Sequence, residues 1–201
     1  MTTWEVRPLT SGNFGDFGAV ANPRGNPRHC WCLAYRLTGR DVAELGRGDG
    51  GEREGFLRGL AREDPAPGLV AYRDGEPAGW VGMGPRDTVP RLARSRVIPR
   101  VDDVPVWSVF CLVVRSGFRR QGVTGRLLDG AEEYAAAHGA PCLEAYPVEP
   151  RDGQRVNSAF AYVGTTGMFE RAGYRRVVLT DSTSDGLPRW LVRKDLAPDG
   201  G

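Results

Sequence analysis

Residues 119–125 have the composition of an anion-binding loop. Their sequence, Arg-Arg-Gln-Gly-Val-Thr-Gly, combines two guanidinium groups with small residues that leave backbone N–H groups accessible. An apolar run precedes the loop and a helical pattern follows it, so the loop leads into a helix N-terminus, where partial positive charge favours anions. Arginine side chains add charge-assisted hydrogen bonds to phosphate oxygens. The stretch predicts a diphosphate site that is neither a Walker A loop nor a G-x-G-x-x-G fingerprint.

Hydrophobic patterning predicts the elements that position this loop. Residues 106–114 form a nearly continuous apolar run rich in β-branched side chains, as expected for a strand covered on both faces. Residues 122–138 carry an apolar stripe at helical spacing and are followed by Gly139, a typical helix end. Residues 142–148 form a second short apolar strand. Together the three segments predict a βαβ unit.

The rest of the chain shows no internal repeat or domain boundary. Strands are also predicted at 4–9, 69–73, 78–83, 176–179 and 189–192, and helices at 14–21, 52–62 and 158–172. The strands around Asp74 and Gly75 form a predicted hairpin. Residues 85–105 and 180–188 are predicted as irregular connections, the first because Pro90, Pro99 and Pro105 oppose regular structure.

This element order predicts an α/β (α+β) fold. The 201 residues are expected to form a single domain, residues 1–201, whose core spans about residues 4–194. A mixed sheet of about six to seven strands is expected, with helices on its faces.

Composition limits the classes of partner. The net charge is only +2 and the acidic residues are interspersed with the basic ones, which argues against a nucleic-acid surface. No segment reaches the roughly 20 apolar residues needed to span a bilayer, and the start of the chain has no signal-like run. We therefore expect a cytoplasmic protein with no membrane partner, and four reduced cysteines.

The loop and its flanks resemble the GCN5-related N-acetyltransferase (GNAT) superfamily. That family's hallmark is Arg/Gln-x-x-Gly-x-Gly/Ala between a buried strand and a helix, and residues 119–124 fit it, with Thr124 in the last position. The preceding Leu-Val-Val-Arg-Ser-Gly-Phe resembles the family's approach to the loop, with Ser116 where proline is common. Residues 168–174 resemble the family's later Tyr-x-x-x-Gly-Phe ending. The order of elements agrees over about residues 4–194.

The resemblance implies acyl-CoA in a cleft between two splayed parallel strands. The backbone of Leu112, Val113 and Val114 would pair with the pantetheine arm. An amide near Leu112 would polarise the thioester carbonyl, and the acceptor amine would attack it directly. The implied diphosphate site comprises Arg119, Arg120, Gln121, Gly122, Val123, Thr124 and Gly125.

An amine nucleophile must lose a proton before it attacks. Glu144 is the first candidate base, on a strand face shared with Cys142 and Tyr146; the alternative is a carboxylate paired with one of the many arginines. Asp102 and Asp103 are second candidates, with solvated loop acids as their alternative role. A water chain is a further route.

The leaving thiolate must gain a proton. In the family this proton often comes from the tyrosine that begins the later motif, and Phe169 occupies that position here. Tyr162 is our predicted replacement, with Tyr146 as the alternative, whereas Tyr174 fits a packing position.

The early segment around His29-Cys30-Trp31-Cys32 is expected to line the acceptor pocket, as the early helical region does in the family. Trp31 and Tyr35 would form its aromatic wall, and ordinary core packing is the alternative. The segment lacks the four ligands of a zinc site, so no metal is expected. Cys111 fits a small core residue better than a covalent nucleophile.

The predicted reaction is acetyl transfer from acetyl-CoA to the primary amine of a small molecule. Two alternatives stay open: an acyl-CoA-binding regulatory module, which Phe169 favours, and acetylation of a protein or peptide amine. The arginine-rich stretch 86–100 fits a solvated loop, a site for an acidic acceptor or a site for the 3′-phosphate of CoA. The chain is expected to be a monomer or a homodimer.

Overall fold

One mixed β-sheet organises the part of the chain that the structure describes. The structure is a computed structural model, and it describes residues 1–26, 29–45, 51–151, 154 and 161–196. The strands are β1 (Trp4–Pro8), β2 (Gly68–Arg73), β3 (Glu76–Pro85), β4 (Trp107–Val114), β5 (Cys142–Ala145), β6 (Arg175–Ser184) and β7 (Leu187–Asp195). They lie in the order β1-β2-β3-β4-β5-β7-β6, which confirms the predicted mixed sheet. Among the described strands, β4 and β5 are the only parallel neighbours.

Six helices are found within the described residues. They are α1 (Phe14–Ala21), α2 (Gly39–Leu45), α3 (Gly51–Leu60), α4 (Pro90–Ala93), α5 (Val123–Ala137) and α6 (Thr166–Arg171). In this described part of the chain, no helix is long and apolar enough to cross a membrane.

Helix α5 connects β4 to β5 and confirms the predicted βαβ unit. It begins after Gly122, whose φ of 82° is left-handed, and is followed by Gly139 with a φ of 75°. Both positions favour glycine because a Cβ is strained in this conformation. The predicted stripe is buried against the sheet, as seen for Leu127, Leu128 and Ala131.

The sheet separates two hydrophobic clusters. On one face, α5 packs on β2, β3 and β4. The opposite face is covered by α1, α3 and residues 31–37, where Phe17, Trp31, Leu33 and Phe110 are buried. Side chains from both faces of β4 are therefore enclosed, which explains its continuous apolar sequence.

The predicted irregular connection over residues 85–105 is partly wrong. It contains a 3₁₀ turn at Arg86–Thr88 and helix α4, which begins at Pro90, since proline is tolerated in the first turn of a helix. Leu92 and Ile98 are buried, and so is Arg86. The solvated-loop interpretation is therefore wrong for Arg86.

Two other predictions also change. The polar loop predicted over residues 180–188 is instead a hairpin, in which Asp185 and Gly186, both with left-handed φ, form a two-residue turn between β6 and β7. The predicted helix over 158–172 is broken by Gly164 into a 3₁₀ turn at Ala161–Val163 and helix α6. Residues 158–160 lie outside the described part of the chain.

Candidate active site

The parallel pairing between β4 and β5 ends halfway along β4. The last paired residues are Val109 and Ala145, whereas β4 continues to Val114. Beyond Ala145 the chain leaves β4, and Val148 instead bridges to Thr165 and Arg189. On its other edge, β4 stays paired with β3 as far as Val114. Residues 110–114 therefore present an edge that no described strand covers, and an extended ligand can pair with its backbone groups.

A cavity of about 480 Å³ lies at this open edge, within the size range of small-molecule sites. Tyr162, Gly164 and Met168 form its far wall. Of the predicted donor-site residues, it is lined by Leu112, Val113, Val114, Arg119, Arg120, Gly122, Val123 and Thr124. Gln121 and Gly125 do not line it. The structure thus brings the predicted pantetheine strand and the predicted diphosphate loop to one cavity.

The loop before α5 has an unusual backbone conformation. Arg120 has a φ of 60° and Gly122 a φ of 82°, and alternating left-handed residues of this kind turn successive N–H groups toward one point. The first intrahelical bond runs from the Arg126 N–H to the Gly122 carbonyl at 3.2 Å, and no side chain caps the helix start. The amides of the first turn consequently lack intrahelical acceptors. The Gln121 side chain donates to the Gly117 carbonyl at 2.9 Å and so braces the loop.

A β-bulge lies next to the cavity. Gly82 of β3 pairs with Cys111, and the following Met83 pairs with Val109, which leaves Phe110 without a partner in β3. Phe110 and Cys111 consequently both point to the α1 face, while Leu112 points to the α5 face. The bulge redirects the side chains of β4 where its open edge begins.

Tyr162 faces the same cavity as the predicted donor residues. Burial raises the pKa of Tyr162, and the positive charge of Arg189 opposes this rise. Phe169, which occupies the family's usual tyrosine position, is fully buried and packs edge-on against Tyr174 with 5.1 Å between ring centroids. The side chain at that position is therefore part of the core and does not line the cavity.

Glu144 is held inside the sheet by ion pairs. Its side chain is 1% exposed; one oxygen accepts from Arg193 Nε at 2.7 Å, and the other accepts from the Tyr146 hydroxyl at 2.6 Å. Arg86 Nε lies 3.3 Å from the same carboxylate. Burial and the neighbouring Glu144 raise the pKa of Tyr146 well above its usual value. These contacts favour the ion-paired role that the sequence left open for Glu144.

Asp102 completes this network from the surface. Its carboxylate accepts two hydrogen bonds from Arg193, which hold the pKa of Asp102 below its usual range. Burial alone would lower the pKa of Arg193, but its hydrogen bonds to Asp102 and Glu144 raise it. Asp103 is exposed. Neither aspartate lines the cavity at the open edge of β4.

Trp31 and Tyr35 are both buried but occupy different surroundings. Trp31 packs on Phe14 and Phe17, with ring centroids 6.0 and 5.9 Å away, as in an ordinary core. Tyr35 lies between the Phe110 ring, 5.7 Å away, and the guanidinium of Arg189, also 5.7 Å from its ring centroid. Tyr35 therefore packs against Phe110 at the bulge of β4, whereas the Trp31 ring packs against α1.

Cys30 and Cys32 flank Trp31 in the sequence, and a third thiol, Cys111, lies beside Cys32. The neighbouring Cys32 thiol and burial raise the pKa of Cys30 to about 12, and the Cys111 thiol raises that of Cys32 well above its usual value. Protonated thiols are poor nucleophiles, so these surroundings do not activate Cys30 or Cys32. Within the described residues, no group of three His, Cys, Asp or Glu side chains is placed to hold a metal ion.

Arg189 is a buried residue near the site that sequence reasoning did not identify. Its Nε donates to the Tyr146 carbonyl at 2.8 Å and its Nη1 to Ser182 Oγ at 3.3 Å. Its Nη2 is buried and has no hydrogen-bond partner among the described residues. Nothing in the local sequence distinguishes this arginine from the exposed ones.

The sequence of this region matches a known family. Residues 37–155 match the model of the acetyltransferase (GNAT) family, which is more than half of the 201 residues. The chain belongs to the acetyltransferase (GNAT) family, and the predicted enzyme class, an N-acetyltransferase, is confirmed. A comparison with curated proteins found no match.

Solved structures agree on the fold. The chain is similar to the GNAT-family acetyltransferase from Streptococcus pneumoniae, with a TM-score of 0.55 and 20% identity over 97% of this chain and 100% of that one. It is also similar to the PaiA N-acetyltransferase from Thermoplasma acidophilum in complex with coenzyme A, with a TM-score of 0.51 and 13% identity over 96% and 99% of the two chains. It is similar as well to the ribosomal-protein-S18-alanine N-acetyltransferase from Escherichia coli, with a TM-score of 0.50 and 11% identity over 98% of this chain and 97% of that one. Identities this low show a shared fold alone.

Proposed function

We propose that this protein transfers the acetyl group of acetyl-CoA to the primary amine of a small molecule by direct attack. The observation that carries the proposal is the cavity that joins the open edge of β4 to the uncapped start of α5. An extended pantetheine arm would pair with residues 112–114. A diphosphate would accept hydrogen bonds from the loop amides, with Arg119 and Arg120 supplying further charge.

The donor would be activated by fixed backbone dipoles. An amide near Leu112, on the open edge of β4, would donate to the thioester carbonyl and stabilise the oxyanion that forms on amine attack. The acceptor nitrogen bonds to the carbonyl carbon, and the carbon–sulfur bond then breaks. The acetyl group passes to the amine without a covalent enzyme intermediate.

Tyr162 would supply the proton that the departing thiolate takes up. It lines the donor cavity, and its raised pKa keeps the hydroxyl protonated at neutral pH. We assign Glu144 to holding Arg86 and Arg193, because its oxygens are engaged by these groups and by Tyr146. Water in the open cleft is the proposed carrier of the amine proton.

Calorimetry of acetyl-CoA binding, followed by thiol detection with small amines and with peptides, tests the proposal. We expect saturable binding and CoA release that depends on a small amine. Absence of acetyl-CoA binding would refute the proposal. Binding without thiol release would support the regulatory-module alternative, and release with peptides alone would support a protein or peptide acceptor.

A further inference from the structure

Buried positive charge exceeds buried negative charge beside the β4 bulge. Among the described residues, Arg86, Arg189 and Arg193 are 3%, 5% and 5% exposed, and Glu144 is the buried carboxylate that accompanies them. Arg193 pairs with Glu144 and Asp102, and Arg86 lies against Glu144. Arg189 has no carboxylate within 4.0 Å in the described part of the chain. Buried charges are normally paired, so this unpaired cation calls for an anion.

The unused donor of Arg189 is well defined. Hydrogen bonds from Nε to the Tyr146 carbonyl and from Nη1 to Ser182 fix the plane of the guanidinium. Nη2 keeps its N–H donors without an acceptor among the described residues. The ring of Tyr35 lies against the same guanidinium. The guanidinium is therefore held in place with one nitrogen free to donate.

Arg189 lies close to the proposed transfer site. Residues 187, 189, 191 and 193 of β7 alternate onto the sheet face that also carries Phe110. Tyr35 bridges the two, since its ring lies 5.7 Å from the Phe110 ring and 5.7 Å from the Arg189 guanidinium. Tyr162, which lines the donor cavity, is near enough for the charge of Arg189 to act on its hydroxyl.

We propose that Arg189 binds a carboxylate of the acceptor, so that the acceptors are amines that carry a carboxylate, such as free amino acids. This inference rests on the proposed function. One guanidinium with one free nitrogen neutralises a single negative charge, which suits a carboxylate better than a doubly charged phosphate. Because Nη2 is covered in the structure, acceptor binding requires a covering side chain to change rotamer, a common response to ligands.

The first test compares matched acceptors. Each L-amino acid is assayed against its carboxamide, and against short peptides in which the amine and the carboxylate are far apart. We expect kcat/KM for free amino acids to exceed that for the amides by about tenfold, which corresponds to about 1.4 kcal/mol. Arg189→Gln should remove this preference by raising KM for the acids alone, and Arg189→Lys should restore part of it. Equal use of acids and amides by the wild type would overturn the inference, as would an equal loss for both in Arg189→Gln.

A matched control is Arg175→Gln, which removes an exposed arginine from the neighbouring strand β6. It should keep the preference for acids. Thermal denaturation of each variant separates a folding defect from a loss of recognition. The comparison of acids with amides in the wild type does not depend on any variant.

Binding measurements distinguish failure of this inference from failure of the proposed function. N-acetyl amino acids and their amides are titrated into the protein by calorimetry, with and without saturating CoA. Tighter binding of the acids to the wild type, lost in Arg189→Gln, supports the inference even if no acceptor is turned over. Acetyl transfer without any preference for carboxylates would overturn the inference alone. Absence of acetyl-CoA binding would remove the proposed function, and the titration without CoA would still decide whether Arg189 binds a carboxylate.

Discussion

At the scale of single residues, two alternative roles for Glu144, general base and buried ion-pair partner, lead to different predictions. A general base needs a carboxylate that reaches the acceptor, whereas Glu144 is enclosed by Arg86, Arg193 and Tyr146. Removal of the negative charge would leave two buried guanidinium groups with less compensation, and such losses cost several kcal/mol. The structure therefore assigns the larger effect of this side chain to stability.

Glu144→Gln should lower the free energy of unfolding by about 3 kcal/mol, because it breaks a buried ion pair. Urea denaturation measures this change. The folded variant should keep most of its kcat, since the carboxylate lies away from the donor cavity. Glu170→Gln, which breaks the exposed pair with Arg176, is the control and should cost about 1 kcal/mol or less. Unchanged stability with a kcat reduced about 100-fold would instead identify Glu144 as the base.

Tyr162 gives a prediction about pH. Its pKa is raised by burial, so the hydroxyl stays protonated, and able to donate, up to a pH above the usual tyrosine value of about 10. The rate of a step that needs this proton should stay constant up to that pH. Above it the rate should fall, because the Tyr162 hydroxyl is deprotonated. Tyr162→Phe should reduce kcat by about 100-fold and abolish this alkaline limb, with acetyl-CoA affinity unchanged.

The matched control for Tyr162→Phe is Tyr174→Phe. Tyr174 is buried, its ring packs on Phe169, and it does not line the cavity at the open edge of β4. Removal of the Tyr174 hydroxyl should leave kcat and its pH profile intact. If Tyr162→Phe retains the alkaline limb, the proton donor lies elsewhere.

At the scale of elements, the two ends of α5 offer a matched pair of glycines. Gly122 and Gly139 have left-handed φ values of 82° and 75°, and a Cβ at either position would meet no atom within 4 Å. Alanine at either site should therefore cost the same backbone strain, about 1 kcal/mol. Gly122→Ala should also weaken acetyl-CoA binding by about tenfold, because relaxation of the loop turns its amides away from the diphosphate. Calorimetry measures the acetyl-CoA affinity of both variants. An equal loss of affinity in Gly139→Ala would show that reduced stability, and not the loop conformation, weakens binding.

Local periodicity explains which elements were predictable. Helix α5 and the hairpin of β2 and β3 carry clear helical or turn patterns in a short window, and both are confirmed. The bulge at Phe110 was not visible, because a strand buried on both faces shows no alternation that a bulge could interrupt. The hairpin turn at Asp185 was not predicted, because the strand residues before it are polar and resemble a loop.

The residues near the site that the sequence did not reveal come from segments far apart in the chain. The predicted diphosphate loop is contiguous in sequence, so its residues were predicted together, and most of them line one cavity. Arg86 and Arg189 are brought beside β4 and β5 by tertiary pairing alone, and no spacing in the sequence separates them from exposed arginines. Tyr35 was named from the sequence, but its contact with Phe110 depends on how residues 31–37 cross the sheet.

At the scale of the whole molecule, the sheet consists of two parts joined by a short seam. Strands β1 to β4 form an antiparallel part, and β5 to β7 form another. Only three residue pairs, from Trp107–Leu143 to Val109–Ala145, join β4 to β5. A ligand that pairs with residues 110–114 and contacts Tyr162 across the cavity would extend this seam.

Acetyl-CoA should therefore stabilise the whole fold as well as the loop. At a free concentration 100 times Kd, binding to the native state alone adds about 2.7 kcal/mol, which for a chain of this size raises Tm by roughly 5–10 °C. Hydrogen exchange should slow at the open edge of β4, residues 110–114, more than at the hairpin of β6 and β7, whose pairing is already complete. Protection confined to the first turn of α5, with the edge of β4 unchanged, would contradict pairing of the pantetheine arm with that strand and leave only the diphosphate contact.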